Sequence, residues 1–336
     1  MASRWTRALV VGVLGVTALG ACRSAPEANG QVAEPEIDAT PSAPTVVDVP
    51  APTHDSPLAP SPSSPSSATG HRPDRAGVFR GLGTWIDIYD ERAWKHPAAT
   101  VDDMAAQGVR TIYLQTSNYN RSRPFVHPEG VAGFLDAAER RGLHVVAWYL
   151  PGFRDVDLDL RRTLRAIAFE TAAGNRFDSF ALDIESSIVR RPSVRTARLL
   201  ALSTRIRRAA GRAYPLGAIV ASPRRMRQDP GYWPGFPWRG LAGTYDAFLP
   251  MTYFTYRVSG RDDAAWYTAK NVSIIRQETA GMKVPIHVIG GISFDATGAE
   301  TRGFVDTIIE RDVLGASYYT FPGITPEQWK ALRAVE

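Results

Sequence analysis

The sequence predicts an α/β fold for residues 77–336, a (β/α)8 TIM barrel. Three observations carry this. Eight short apolar runs follow one another along the chain. Stretches with apolar residues at three- and four-residue spacing lie between most of them, as amphipathic helices require. Glycines mark the ends of five such stretches, each just before the next apolar run. Strand–helix alternation of this kind builds a parallel sheet covered by helices. A doubly wound open sheet is the alternative, but no Gly-x-Gly-x-x-Gly turn follows the first strand candidate.

The strand candidates are Gly81–Tyr89, Val109–Thr116, Leu143–Leu150, Phe177–Glu185, Leu216–Ala221, Ala247–Tyr253, Val284–Gly290 and Ala316–Phe321. The helical stretches are Ala98–Gln107, Val131–Arg141, Leu158–Ala173, Val194–Ala210, Asp262–Thr279 and Glu300–Glu310. The exits are Gly108, Gly142, Gly174, Gly211 and Gly281.

The fourth strand candidate is the most informative. Phe180, Leu182 and Ile184 point one way, and Ala181, Asp183 and Glu185 the other. The two carboxylates therefore share a face, with Cβ atoms roughly 6–7 Å apart. At that range one charge raises the other's pKa and keeps a carboxyl group available as an acid near neutral pH. The plain structural reading is a solvated strand end.

In a barrel the site lies where the strands end. Gathered there are Asp87, Gln115, Trp148, Tyr149, Asp183, Glu185, Met251, Tyr253 and Tyr319. Aromatic faces pack on pyranose rings, and amides and carboxylates bond their hydroxyls, so this mixture suits a sugar. It does not suit a metal. None of the six histidines forms a close ligand pair, and His144 and His287 sit early in strands, as core or floor residues would. There is no Gly-x-Ser-x-Gly elbow for a serine nucleophile. No metal and no cofactor is expected.

The segment Ser222–Gly243 carries Arg224, Arg225, Arg227, Tyr232, Trp233, Phe236 and Trp238. It reads either as one wall of a substrate groove or as a cover over the barrel edge in place of a regular fifth helix. Asp246 precedes a strand, at the end away from the site, and reads as a cap.

The first 76 residues are of another kind. Arg4 and Arg7 precede an apolar run, Ala8–Ala21, too short to cross a bilayer comfortably. Leu19-Gly20-Ala21-Cys22 resembles the lipobox of bacterial lipoproteins, which implies cleavage before Cys22 and its lipidation. An ordinary secretory signal with a chance cysteine is the alternative. Cys22 is the only cysteine, so no intramolecular disulfide supports the folded part. Residues 23–76 are rich in Ala, Pro, Ser, Thr and Glu, and read as an extended tether. The expected location is the outer face of the bacterial cytoplasmic membrane, held by the N-terminal lipid. The net charge of +5 could favour anionic cell-wall polymers. No nucleic-acid-binding motif is present.

Asp178-Ser-Phe-Ala-Leu-Asp183-Ile-Glu185 resembles the strand-4 signature of family 18 glycoside hydrolases, Asp-x-x-Asp-x-Asp-x-Glu, and Met251-Thr252-Tyr253 resembles that family's strand-6 Met-x-Tyr element. The resemblance implies Glu185 as general acid, Asp183 as the group orienting the substrate's 2-acetamido nucleophile, and Tyr253 as its hydrogen-bond partner. Ala181 stands at the family's middle aspartate, and Phe254 where an aspartate commonly follows the tyrosine. Ile86-Asp87-Ile88 and Leu182-Asp183-Ile184-Glu185 are similar to elements of family 25 lysozymes, which implies a place for Asp87 in the site. The expectation is a retaining glycoside hydrolase acting on N-acetylhexosamine-containing polysaccharide or peptidoglycan. A non-catalytic glycan-binding lipoprotein on the same barrel is the alternative.

Overall fold

The computed structural model describes residues 74–335. The signal segment, Cys22 and the tether up to residue 73 lie outside the described residues. The eight strands are β1 (Gly81–Ile86), β2 (Thr111–Asn118), β3 (His144–Leu150), β4 (Ser179–Ile184), β5 (Leu216–Val220), β6 (Ala247–Pro250), β7 (His287–Ile292) and β8 (Gly315–Tyr319). The helices are α1 (Glu91–Lys95), α2 (Pro97–Ala106), α3 (Pro128–Arg141), α4 (Val156–Ile167), α5 (Pro192–Ala210), α6 (Pro223–Gln228), α7 (Trp238–Ala242), α8 (Arg261–Glu278), α9 (Gly298–Glu310) and α10 (Pro326–Leu332).

All strand pairings are parallel, in the order β6-β5-β4-β3-β2-β1-β8-β7. The two outer strands meet through the bridges Phe248–Ile286 and Met251–Ile289, so the sheet closes on itself as a (β/α)8 barrel. The strands are buried along nearly their whole length because the core fills one face and helices cover the other. Among the described residues no helix is long and apolar enough to cross a membrane.

Interior packing explains several residue choices. Trp85 stacks on Tyr113 with centroids 4.2 Å apart and meets Trp148 edge-on at 5.6 Å. Phe79, from the turn before β1, reaches the β5 side: a Cβ at Gly217 would lie 2.9 Å from Leu249 Cδ1 and 3.0 Å from Phe79 Cε1. Glycine is needed there. His287 is fully buried and its Nδ1 lies 2.7 Å from the Phe79 carbonyl, which can only accept. Nδ1 therefore carries the proton. Nε2 accepts from the Ser317 hydroxyl at 2.9 Å, which in turn accepts from Trp85 Nε1 at 2.8 Å. Burial lowers the His287 pKa to about 4.

At the N-terminal end of the strands, Asp246 pairs with Arg75 and Arg207 and accepts from the Leu216 amide. Arg75 belongs to the stretch expected as tether, yet it is docked on the domain. The expected boundary at residue 77 is thus a few residues late. The five glycine exits all have positive φ. In Gly142, φ 66° and ψ 30° place the α3 C-cap in the left-handed region.

Candidate active site

β4 delivers Asp183 on its inward face, and Glu185 follows immediately beyond the strand's end. Asp183 is 5 % exposed, and its Oδ1 is sealed without a hydrogen-bond partner. Burial, then the neighbouring Glu185 charge, pushes its carboxyl well above the usual range. Glu185 is part-buried. Burial raises its pKa to about 7, against the opposing pull of the Arg225 guanidinium. A carboxyl group titrating there is an acid at neutral pH and can give up its proton, as a general acid must.

Tyr253 lies past the end of β6 rather than within a longer strand, at the start of the turn Phe254–Tyr256. Its hydroxyl is raised well above its ordinary value by burial, then by the charges of Glu185 and Asp183, so it stands with the carboxylates as a neutral donor. Phe254 is fully buried and packs toward Phe304 of α9 and Tyr318 of β8. Its apolar side chain belongs to the layer between barrel and helices. Ala181 is fully buried and pairs in register with Trp148 of β3.

On the far side of the mouth, the Tyr319 ring lies 6.2 Å from that of Tyr253, and its hydroxyl donates to Asp87 Oδ2 at 2.8 Å. Asp87 Oδ1 accepts from the Tyr89 amide at 2.6 Å. Asp90 Oδ2 accepts from the Asp87 amide at 3.0 Å, and burial followed by the Asp87 charge raises Asp90 to about 7. Two carboxylate pairs, Asp183 with Glu185 and Asp87 with Asp90, thus lie at or just past the ends of β4 and β1, with Tyr253 and Tyr319 between them.

The remaining expected residues divide. Gln115 is buried and braces the end of β1, its Oε1 accepting from the Ile88 amide at 3.0 Å. Met251 is buried after β6. Trp148 is buried against Trp85, with its Nε1 unpartnered. Tyr149 does not face the site. Adjacent strand residues point to opposite faces, so with Trp148 inward Tyr149 must turn toward α4. There it donates to Asp159 at 2.7 Å and accepts from Arg162 at 3.2 Å. Arg162 also donates to the carbonyls of Asn118 and Arg121. Tyr149 is part of the brace that holds the loops after β2 and β3.

The segment after β5 takes the covering role that the sequence left open, and one of its rings also reaches the end of β4. Trp233, Phe236 and Trp238 are buried in a line of ring contacts that ends on Phe248 of β6, so they cover the barrel. Tyr232 turns to the mouth and donates to the Glu185 carbonyl at 2.7 Å. Arg195 of α5 lies over Trp233, 4.0 Å from its ring centroid, and donates to the carbonyls of Val189 and Tyr232, joining the loops after β4 and β5. The sequence places Asp90 just beyond the first strand but does not show its coupling to Asp87, and the Tyr232 contact, which spans 47 residues, left no signal. Among the described residues no group of three His, Cys, Asp or Glu side chains is placed to hold a metal ion. A hollow at the opposite end is lined by Arg80, Arg110 and His144 and includes none of the carboxylates described above.

No family model and no curated protein matches the sequence. Solved structures do match. The endo-β-1,4-mannanase of Thermotoga petrophila is similar with a TM-score of 0.59 at 12 % identity, over 77 % of each chain. The spore cortex-lytic enzyme SleL of Bacillus cereus has a TM-score of 0.56 at 9 % identity, over 76 % of this chain and 74 % of that one. A class V chitinase from Pseudomonas fluorescens Pf-5 has a TM-score of 0.55 at 11 % identity, over 76 % of this chain and 99 % of that one. What this chain shares with these glycan-degrading enzymes is the (β/α)8 fold.

Proposed function

We propose that the domain is a retaining glycoside hydrolase that cleaves N-acetylhexosamine-containing cell-wall or extracellular polysaccharide. The observation that carries the reading is Glu185, held at a pKa of about 7 beside buried Asp183 where β4 ends. Glu185 protonates the glycosidic oxygen as the bond to the anomeric carbon breaks. The substrate's 2-acetamido oxygen forms the replacing bond, Asp183 orients that group, and Tyr253 donates to its oxygen. Water then opens the cyclic intermediate, with Glu185 taking back a proton. The chitinase and the cortex-lytic enzyme among the structural neighbours fit an amino-sugar polymer.

The test is hydrolysis of N-acetylhexosamine oligomers and of peptidoglycan by the purified protein. Glu185→Gln should lower the rate at least about a hundredfold. The wild-type rate should fall as pH rises through about 7, because the acid loses its proton there. Undiminished activity in Glu185→Gln removes Glu185 from the mechanism.

The unpartnered Oδ1 of Asp183 favours a second reading, a barrel that binds glycan without cleaving it. Binding across many glycans with no turnover would select it. The proposal extends to the N-terminus: Cys22 carries a lipid that holds the domain on the outer face of the bacterial cytoplasmic membrane. Metabolic labelling with a fatty acid should mark the full chain and be lost in Cys22→Ala. Equal labelling of both would exclude it.

A further inference from the structure

The mouth gathers arginines as well as carboxylates. At the N-terminal end of the barrel Arg75, Arg80 and Arg207 each pair with an aspartate. At the mouth, the segments following β2, β3, β4, β5 and β6 each bring an arginine: Arg121, Arg154, Arg190, Arg225 and Arg257. Among the described residues these five take part in no ion pair, and no hydrogen bond from their side chains is present.

Arg225 is the one placed at the chemistry. It is part-buried, and its guanidinium carbon lies 5.2 Å from the centroid of the Tyr232 ring. Tyr232 is itself bonded to the Glu185 carbonyl and is flanked on another side by Arg195 at 5.9 Å. The guanidinium is therefore held beside Glu185 by a fixed ring, with its donors unused. An arginine with a free planar fork is suited to a carboxylate, which it can bind through two parallel hydrogen bonds.

We infer that Arg225 reads a carboxylate on the glycan, so that the substrate is an anionic amino-sugar chain bearing a carboxyl-substituted residue next to the cleaved bond. The inference rests on the hydrolase reading for the place of cleavage, but its binding step does not depend on turnover. The outer arginines draw such a chain to the mouth, and Arg225 sets its register. Electrostatic tuning of Glu185 is the competing role for Arg225, since its charge opposes the effect of burial on that carboxyl.

The probes are peptide-stripped peptidoglycan strands, which carry lactyl carboxylates, and the same strands with those carboxylates reduced to alcohols. Binding is measured by calorimetry with the full chain carrying Glu185→Gln, which prevents turnover, alone and combined with Arg225→Gln or Arg225→Lys. Reduction should weaken binding about tenfold or more. Arg225→Gln should abolish that difference, and Arg225→Lys should keep part of it. Equal affinity for both strands overturns the inference. So does a difference that survives in Arg225→Gln, or an otherwise active Arg225→Gln enzyme whose pH profile moves up with unchanged selectivity. A phosphate-rich wall polymer that binds at least as tightly as the carboxylate strands, with the same loss in Arg225→Gln, also overturns it. Discrimination in binding without hydrolysis by the wild-type protein would sink the hydrolase reading and leave this one standing.

Discussion

Asp87 illustrates how a side chain at the barrel mouth can order its neighbours. Both its carboxylate oxygens are occupied, one by the Tyr89 amide and one by the Tyr319 hydroxyl. It is a positioning residue for Tyr319 and, through that ring, for Tyr253. Its charge is also the second cause, after burial, of the raised Asp90 carboxyl. Asp87→Asn keeps the shape and removes the charge. The Asp90 pKa should then fall below about 7 while staying above the ordinary aspartate value, because burial persists. Carboxyl-carbon NMR titration reads this directly, and an unmoved Asp90 would refute the coupling. The rate should drop roughly tenfold with Glu185's own limb of the pH profile in place, as for loss of one charge-assisted hydrogen bond. At this scale the legible residues were those whose chemistry and spacing coincide. Asp183 and Glu185 share a face because they are two apart. Tyr149 was misplaced because the same alternation, applied to Trp148, turns it outward. The free carboxyl of Asp183 was not readable, since a missing partner is a property of everything packed around it.

At the scale of elements, the eight strands and the larger helices were visible because burial on two faces leaves long apolar runs and amphipathic periods leave a regular one. Gly142 and Gly211 cap α3 and α5 for a local reason: positive φ ends a helix whatever lies beyond it. Gly174 is not a helix exit, because α4 stops at Ile167 and Gly174 sits in the turn between the bridged residues Glu170 and Arg176. Ends without such markers drifted. β1 stops at Ile86 and β6 at Pro250, so Asp87 and Tyr253 stand on the connecting turns rather than in strands. β7 runs three residues later at its start than the apolar pattern predicts. The short helices α1, α6, α7 and α10 were missed, being too brief to show a period. The segment after β5 was the most ambiguous because its aromatics make two kinds of contact. Trp233 packs with its Nε1 on Thr196 of α5 at 2.9 Å, while its neighbour Tyr232 reaches Glu185. Composition cannot divide consecutive rings between cover and site. Only the closure of the barrel, which fixes where the segment must lie, does so.

For the molecule as a whole, the site and the core pull the pH dependence of stability in opposite directions. Glu185 and Asp90 titrate at about 7 in the folded state, and Asp183 is raised as well. A carboxyl group raised above its unfolded value makes the folded state hold extra protons. Its contribution is fully present below about pH 4 and is lost as pH rises through 7. His287 is lowered to about 4, so its contribution is present above about pH 6.5 and is lost as pH falls toward 4. Between these limits the trends oppose, and Asp159, also raised by burial, adds to the carboxyl side. Removing a carboxyl from the sum should therefore stabilise the protein on the alkaline side only. Glu185→Gln should raise the unfolding free energy by about 3 kcal/mol at pH 8 and change it little at pH 4.5. Urea midpoints at the two pH values measure this. A gain that is equal at both would trace to packing rather than to the proton. A gain confined to pH 8 would mean that the carboxyl proposed to do the chemistry is held in the fold at a cost in stability, as expected of a preorganised acid.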